Sequence, residues 1–472
     1  MEPDANQVQM LRRRVVACVA PYRSLLLAFS GGLDSTVLLN ALAALRDGDG
    51  FQGGDNVLAL RAVHIHHNLS RHADEWTAHC AQECHRLNVT FTAIHVTVDA
   101  TSDGIEAAAR SARYGALAAA LTQDEVLITA QHQDDQAETL LLALKRGSGP
   151  AGLSSMAADA PYLGHRLVRP LLGFGRWELE AYAKADKLHW IKDDSNTDLR
   201  FDRNFLRLRI LPLLRQRWPK FANALSRSAQ LCAEQEQLLD ELLSETLAGL
   251  IEPDGSLRLT ALTTMHGSKR AALLRRWLKS LGVKMPTRAQ LSRLWQEVAL
   301  SRRDAVAQLK LDGCLVRRFR DHLYIVPCFP PLTNSKAVFP WPWESAHLVL
   351  PSGLGKLYRR QVNTGSTATL LTIVRAPFPG ERVSVRFSPV HGKLYIVGRR
   401  RGRTLKKIWQ ELHIPPWRRS RTPLLFYNDQ LIAALNVFVT WEGAAREDHA
   451  QWQIFWQSDN KELFCTDLPR DT

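Results

Sequence analysis

Residues 25–29 are five apolar positions in a row. They run into the polar stretch Ser30-Gly31-Gly32-Leu33-Asp34-Ser35, and from 36 to 42 apolar positions recur at helical spacing. The succession reads as strand, glycine turn and helix. Residues 57–65, 89–98 and 126–130 read as three more buried strands separated by helical stretches. Such alternation predicts a parallel sheet covered on both faces, with ligands beyond the carboxyl ends of the strands. Three polar clusters fall at such ends: residues 30–35, His64-Ile65-His66-His67, and Gln131-His132-Gln133-Asp134-Asp135-Gln136-Ala137-Glu138-Thr139. Downstream, residues 221–300 are helical in pattern, with Leu238, Leu239, Leu242 and Leu243 as one expected core stripe and Leu291, Leu294, Trp295 and Val298 as another. Residues 306–311 and 315–326 read as strands paired around Asp312-Gly313, and residues 327–351, dense in proline and tryptophan, as a connector. Strands at 370–374, 383–386 and 394–397 and a helix at 405–412 complete a small terminal domain.

Charge narrows the class of partner. With 61 Lys and Arg against 47 Asp and Glu in 472 residues, the net charge of +14 favours a polyanion, either nucleic acid or an acidic membrane surface. The first residues lack the basic and apolar regions of a signal peptide, and no apolar run approaches the roughly 20 residues of a membrane span, so a soluble cytoplasmic protein is expected. Seven scattered cysteines suit reduced thiols. Cys80 and Cys84 share a helical face without a second ligand pair, and are read as buried helix positions rather than a metal site.

The glycine turn suits a phosphate, because glycines let backbone N–H groups approach an anion at a helix N-terminus while Ser30 and Ser35 add hydroxyl donors. No lysine follows, unlike a Walker loop, so the expected ligand is the pyrophosphate of ATP, with cleavage between the α and β phosphates. Asp135 and Glu138 lie three apart on a helix; such a pair holds Mg²⁺, receives an ammonium or serves as a base, whereas helix capping by Asp134 is the plain alternative. Arg200, Arg203, Arg207, Arg209, Arg215 and Arg217 form an arginine-rich stretch that suits RNA phosphates, the favoured reading, or coats a helix closing the first domain. Arg399, Arg400 and Arg401, with Lys406, Lys407, Arg418, Arg419 and Arg421, form another, where Trp409 and Trp417 are possible stacking surfaces.

Residues 30–35 resemble the SGGxDS loop of the N-type ATP pyrophosphatases, the PP-loop superfamily. Together with His66-His67-Asn68-Leu69, Ala109-Arg110-Ser111-Ala112-Arg113-Tyr114, residues 131–139, Asp194-Ser195-Asn196-Thr197-Asp198 and Arg203-Asn204, they resemble the tRNA(Ile)-lysidine synthase family across residues 30–214. The resemblance implies an α/β protein: a Rossmann-like, adenine nucleotide alpha hydrolase-like PP-loop catalytic domain over 1–217, a mainly helical tRNA-binding domain over 218–326, a linker over 327–356, a small basic α+β tRNA-binding domain over 357–445, and a tail over 446–472. The implied activity is a ligase that adenylates C2 of the wobble cytidine in the CAU anticodon of tRNA(Ile), releases pyrophosphate, and joins L-lysine there with loss of AMP. Codon reading thereby passes from AUG to AUA and identity from Met to Ile. Ser30, Gly31, Gly32, Leu33, Asp34, Ser35 and His132 would hold ATP, with Asp34 near Mg²⁺; Arg110 and Arg113 would lie at the activated intermediate; Asp135 and Glu138 would orient lysine. Arg203, Arg207 and Arg399 to Arg401 would contact tRNA. Gln131 stands where the family often has histidine, which puts a role for that position in doubt. A PP-loop tRNA thiolase is the alternative, and monomer and homodimer both remain open.

Overall fold

Every side chain of Leu25, Leu26 and Leu27 is buried, because β1 (Ser24–Ala28) is the middle of a sheet covered on both faces. The computed structural model describes residues 5–48, 58–67, 72–97, 105–192, 197–302, 305–330, 332, 337–342, 345–362, 372–445 and 450–457. Asn68, Leu69 and Asp194 to Asn196, named above for the resemblance, lie outside them. The chain divides into two compact units, 1–239 and 240–472.

The first unit starts with a helix that the apolar pattern did not announce, α1 (Ala5–Val19), whose Leu11, Val15 and Val19 enter the core. Then follow α2 (Leu33–Asp47), β2 (Ala59–His66), α3 (Ala73–Arg86), β3 (Thr90–His95), α4 (Ile105–Ala120), β4 (Val126–Ile128), α5 (Gln133–Lys145) and α6 (Pro150–Leu153). A hairpin, β5 (Asp159–Tyr162) and β6 (His165–Val168), precedes α7 (Arg176–Ala185), α8 (Asp202–Phe205), a π-helical turn over Leu206–Ile210, α9 (Leu211–Arg217) and the long α10 (Phe221–Ala248). Strand order is β3-β2-β1-β4-β6-β5, parallel except for the edge strand β5. Pleating sends Leu25, Leu27 and Phe29 toward α1, α2 and α7, and Leu26 toward Leu117 and the α4 face. The β5–β6 turn places Leu163 and Gly164 at positive φ, 46° and 88°, as a two-residue hairpin demands.

In α10 the buried positions Ala222, Ala229 and Leu243 recur on one narrow stripe. Leu238, Leu239 and Leu242 fall beside it and are exposed, which corrects the core stripe expected from them: consecutive leucines cannot share one helical face. Leu291, Leu294, Trp295 and Val298 are core as expected.

The second unit continues with β7 (Leu257–Arg258), α11 (Thr260–Thr264), α12 (Gly267–Ser280) and α13 (Arg288–Arg293), and then β8 (Gln308–Leu311), β9 (Cys314–Phe319) and β10 (His322–Pro327). The run 315–326, expected as one strand, turns back at Arg320, whose φ is 54°, so that β9 and β10 form a second hairpin. The expected linker supplies β11 (Val338–Pro340) and β12 (His347–Val349) and buries Trp341. Beyond it lie β13 (Lys356–Val362), β14 (Thr372–Arg375), β15 (Val383–Arg386), β16 (Lys393–Leu394), β17 (Arg403–Thr404), α14 (Leu405–Glu411), α15 (Pro416–Arg419), β18 (Leu424–Tyr427), β19 (Gln430–Ala434), β20 (Phe438–Val439) and β21 (Gln451–Gln457). The expected tail is corrected too: β21 sits inside a sheet of order β12-β13-β21-β14, where Trp452 and Ile454 are buried. Among the described residues no helix is long and apolar enough to cross a membrane.

Candidate active site

The backbone leaves β1 at Phe29 and enters α2 through Gly31, whose φ of +76° only glycine adopts without strain. Space adds a second demand, since a Cβ there would stand 2.7 Å from Ile191 Cδ1 and 2.8 Å from Cys80 Sγ. Gly32 caps α2 with no side-chain hydrogen bond, which leaves first-turn N–H groups for an anion. Ser30 Oγ and Ser35 Oγ are 3.0 Å apart, and Ser35 Oγ donates to Gly32 O at 3.0 Å. Leu33 has its side chain in the core, so only its backbone faces the loop.

Asp34, on the first turn of α2, meets charges from two other elements. Both of its oxygens accept from Arg176 Nη1 at 3.2 Å, and His132 Nε2 lies 3.6 Å away. Burial opposes its ionisation, but the His132 contact and the charges of Arg176 and Arg207 outweigh that and hold the carboxyl below its ordinary range.

The second cluster is fixed by helix capping. His132 caps α5: its Nδ1 accepts from Asp134 N at 3.2 Å while Asp135 accepts from His132 N at 3.0 Å. The capping residue is therefore His132 and not Asp134, which instead pairs with Arg215. With Nδ1 an acceptor, the His132 proton sits on Nε2, directed between Asp34 and Asp135 at 3.6 and 3.5 Å. Burial works against a second proton on this ring, yet the surrounding carboxylates raise its pKa above the usual value.

One turn on, Glu138 is completely buried, and Arg207 binds it twice, Nε at 2.6 Å and Nη2 at 3.0 Å. Arg207 Nη2 also donates to Asp135 at 2.8 Å. Arg203 Nε lies 3.2 Å from Glu138, and its Nη2 donates to Thr139 Oγ1. Burial pushes the Glu138 carboxyl up, and Arg207 and Arg203 only partly offset it. Arg203 and Arg207, expected on RNA, thus lie on the carboxylate pair, a cation site occupied by the chain's own guanidiniums.

Arg110 and Arg113 stand on α4 with their guanidiniums 4.9 and 6.0 Å from the Tyr114 ring centre. Each is near enough to another cationic group at a strand end to disfavour its charge, Arg110 to Arg169 and Arg113 to His67. Gln131 finds its task here: its Oε1 accepts from Thr129 Oγ1 at 2.5 Å and from Arg169 Nε at 3.1 Å, so it aims a buried arginine. Arg169 and Arg176 were missed in the sequence reading. The signal for Arg169 was its place just past a short strand, like the other clusters.

Cys80 and Cys84 are buried on α3; the Cys80 thiol lies 3.6 Å from His64 Nδ1, and burial pushes its pKa up and that of Cys84 to about 12. Such thiols are poor sulfur carriers, which disfavours the thiolase alternative. In the second unit Arg399 pairs with Glu411, Arg400 and Arg401 are exposed, and Trp409 is core, not a stacking surface. Trp417 packs between Phe319 and Tyr324.

Comparison with known proteins agrees with this arrangement. A PP-loop domain model matches residues 4–214, a TilS substrate binding domain model residues 257–324, and a TilS substrate C-terminal domain model residues 383–456. The tRNA(Ile)-lysidine synthase of Pectobacterium atrosepticum is 54% identical over 97% of this chain and 99% of its own. Those of Edwardsiella ictaluri, at 53% over 95% and 98%, and Serratia proteamaculans, at 53% over 92% and 96%, are similar to it as well. With half of all positions shared along nearly the full length of both chains, and an ATP-binding loop at the head of the sheet, the chain belongs to the tRNA(Ile)-lysidine synthase family.

Proposed function

We propose that this protein is a ligase that uses ATP to join L-lysine to C2 of the wobble cytidine in the CAU anticodon of tRNA(Ile), forming lysidine in the cytoplasm. The observation that carries the reading is the convergence of an uncapped glycine loop with a buried carboxylate pair already holding guanidiniums. Ser30, Gly31, Gly32, Leu33 and Ser35 take the β and γ phosphates on backbone and hydroxyl donors. Asp34, steadied by His132 and Arg176, fits Mg²⁺ in company with phosphate oxygens, since this ion commonly takes one or two carboxylates and completes its shell from substrate and water. Held there, the ion would supply positive charge to offset that of the phosphates.

The cytidine O2 attacks the α-phosphorus as the bond to pyrophosphate breaks, and Arg110 and Arg113 stabilise the negative charge around the adenylated base. The lysine ε-ammonium displaces Arg207 from Asp135 and Glu138. Glu138, whose pKa is raised by burial, is suited to accept the ammonium proton and so free the amine that attacks C2; the C2–O bond breaks and AMP leaves with that oxygen. Arg400 and Arg401 hold the tRNA body. Incubation with ATP, labelled lysine and tRNA(Ile) bearing CAU should give labelled tRNA, AMP and pyrophosphate. Production of ADP and inorganic phosphate would overturn the assignment.

A further inference from the structure

β9 presents different chemistry on its two faces. Cys314 and Val316 enter the core of the helical part of the second unit, while Leu315 and Arg317 point the other way, opposite Val326 and Tyr324 on β10. Against that second face lies Trp417 of α15, edge-on to Phe319 at 6.1 Å and to Tyr324 at 5.4 Å. Beside Trp417 is a cavity of about 210 Å³, and three of its lining residues are Arg317, Arg418 and Arg421. Among the described residues no acidic side chain lines it.

Two of these guanidiniums carry buried nitrogens with no hydrogen-bond partner among the described residues, Arg317 Nε and Arg421 Nη1. Arg421 is otherwise held in place: its Nη2 donates to Pro330 O at 2.6 Å and its Cζ stands 4.4 Å from the Phe329 ring centre. The Arg317 Cζ lies 5.5 Å from the Trp417 ring centre. Burial alone depresses the Arg421 pKa, and burial is the largest influence on Arg317 too, so neither charge is compensated by a carboxylate. Buried donors are almost always satisfied, and leaving one unpaired is costly. An acceptor from outside the chain would remove both penalties.

Planar guanidinium forks favour phosphate and carboxylate oxygens. The volume is below the roughly 300–1,000 Å³ of sites that enclose a drug-sized ligand, so the cavity suits one charged group rather than a whole nucleotide. We infer that this cavity receives one backbone phosphate of an RNA, held by Arg317, Arg418 and Arg421. The inference rests on the tRNA-substrate reading above, and neither Arg400 nor Arg401 lines the cavity.

The test uses the full chain with Arg317→Gln and Arg421→Gln, and Arg421→Lys as the charge-keeping control. tRNA affinity is measured against salt concentration, with calorimetry to show that each variant folds. The two Gln substitutions together should lower the log–log salt slope by about 0.7–0.9, the loss of one phosphate contact, each alone by part of that, and Arg421→Lys should keep most of the wild-type slope. Ethylation interference on the unaltered protein supplies a readout that needs no variant: one phosphate should be found whose ethylation weakens binding. Unchanged slopes in folded variants, or no such phosphate, would overturn the inference while wild-type lysine transfer continues to support the ligase reading. Failure of wild-type lysine transfer would instead strike that reading. Stabilisation of wild type but not the Gln variants by inorganic phosphate, with unchanged tRNA slopes, would make the cavity a free-anion site and overturn the RNA assignment.

Discussion

Replacing Arg207 by Gln removes the main partner of a carboxylate that has no access to water. Glu138 loses contacts of 2.6 and 3.0 Å, and Asp135 loses one of 2.8 Å. Breaking one side of a buried ion pair costs about 3–5 kcal/mol. Here the Arg207 side chain is 32% exposed and Arg203 remains 3.2 Å from Glu138, so a loss nearer about 2–3 kcal/mol is expected.

The pH dependence follows from the Glu138 pKa, which is raised in the folded state mainly by burial. A folded form that binds its proton more tightly than the unfolded chain is favoured below the unfolded pKa, and loses that advantage as pH rises through the folded one. Without Arg207 the folded pKa rises further. The gap between variant and wild type should therefore be small below the unfolded carboxylate pKa and widen as pH rises through the folded pKa of Glu138. Calorimetry and hydrogen exchange across α5 measure it. L-lysine should stabilise the variant more than wild type, by up to about 2.7 kcal/mol at a hundredfold excess over its dissociation constant, because the ammonium no longer competes with Arg207. Norleucine, which lacks the ε-amine, should not. A gap independent of pH, or equal stabilisation by norleucine, would refute the argument that Arg207 neutralises the pair and occupies an amine site.

Gly31→Ala should cost about 1–3 kcal/mol and abolish pyrophosphate release, because its Cβ meets Ile191 and Cys80 at positive φ; Gly32→Ala, with nothing closer than Ser30 Oγ at 3.5 Å, should fold normally, as thermal unfolding of the two would show. Asp34→Asn should stop pyrophosphate release while sparing tRNA binding. Because the Asp34 pKa is lowered in the fold, its contribution to stability is present above the unfolded pKa and lost as pH falls through the folded one, so the variant's acid unfolding limb should be flatter. Cys80→Ala should retain lysine transfer, and loss of transfer in a folded variant would reopen the thiol chemistry. Replacing Arg400 and Arg401 together by Gln should lower the salt slope of tRNA binding by about 1.4–1.8, two phosphate contacts, measured by filter binding.

What could be read in the chain, and what could not, divides along the reach of the interactions. β1, the glycine turn and α2 were legible because an apolar run, a forced φ and a helical period all act within about twenty residues. Asp135 and Glu138 were legible as a pair, since spacing on one helix is local. Their partners were not. Arg207 meets Glu138 across 69 positions of sequence and Arg176 meets Asp34 across 142, and no periodicity records which arginine arrives. The β5–β6 hairpin escaped for another reason: its strands have four residues each, too short for alternation to show, and with it went Arg169, which Gln131 aims.

The same division explains why the arginines after residue 200 were assigned to RNA. Helical spacing among Arg203, Arg207 and Arg215 implies a shared face, but not what covers it; the structure puts Glu138, Asp135 and Asp134 of α5 against that face. A buried carboxylate must either be matched by cations or take up a proton. Three arginines along one face therefore compensate the acidic turn that the proposed chemistry requires. The proposed tRNA contacts of this chain consequently rest on Arg400, Arg401 and the arginines of the second unit, while Arg203 and Arg207 partly offset the burial that raises the Glu138 pKa.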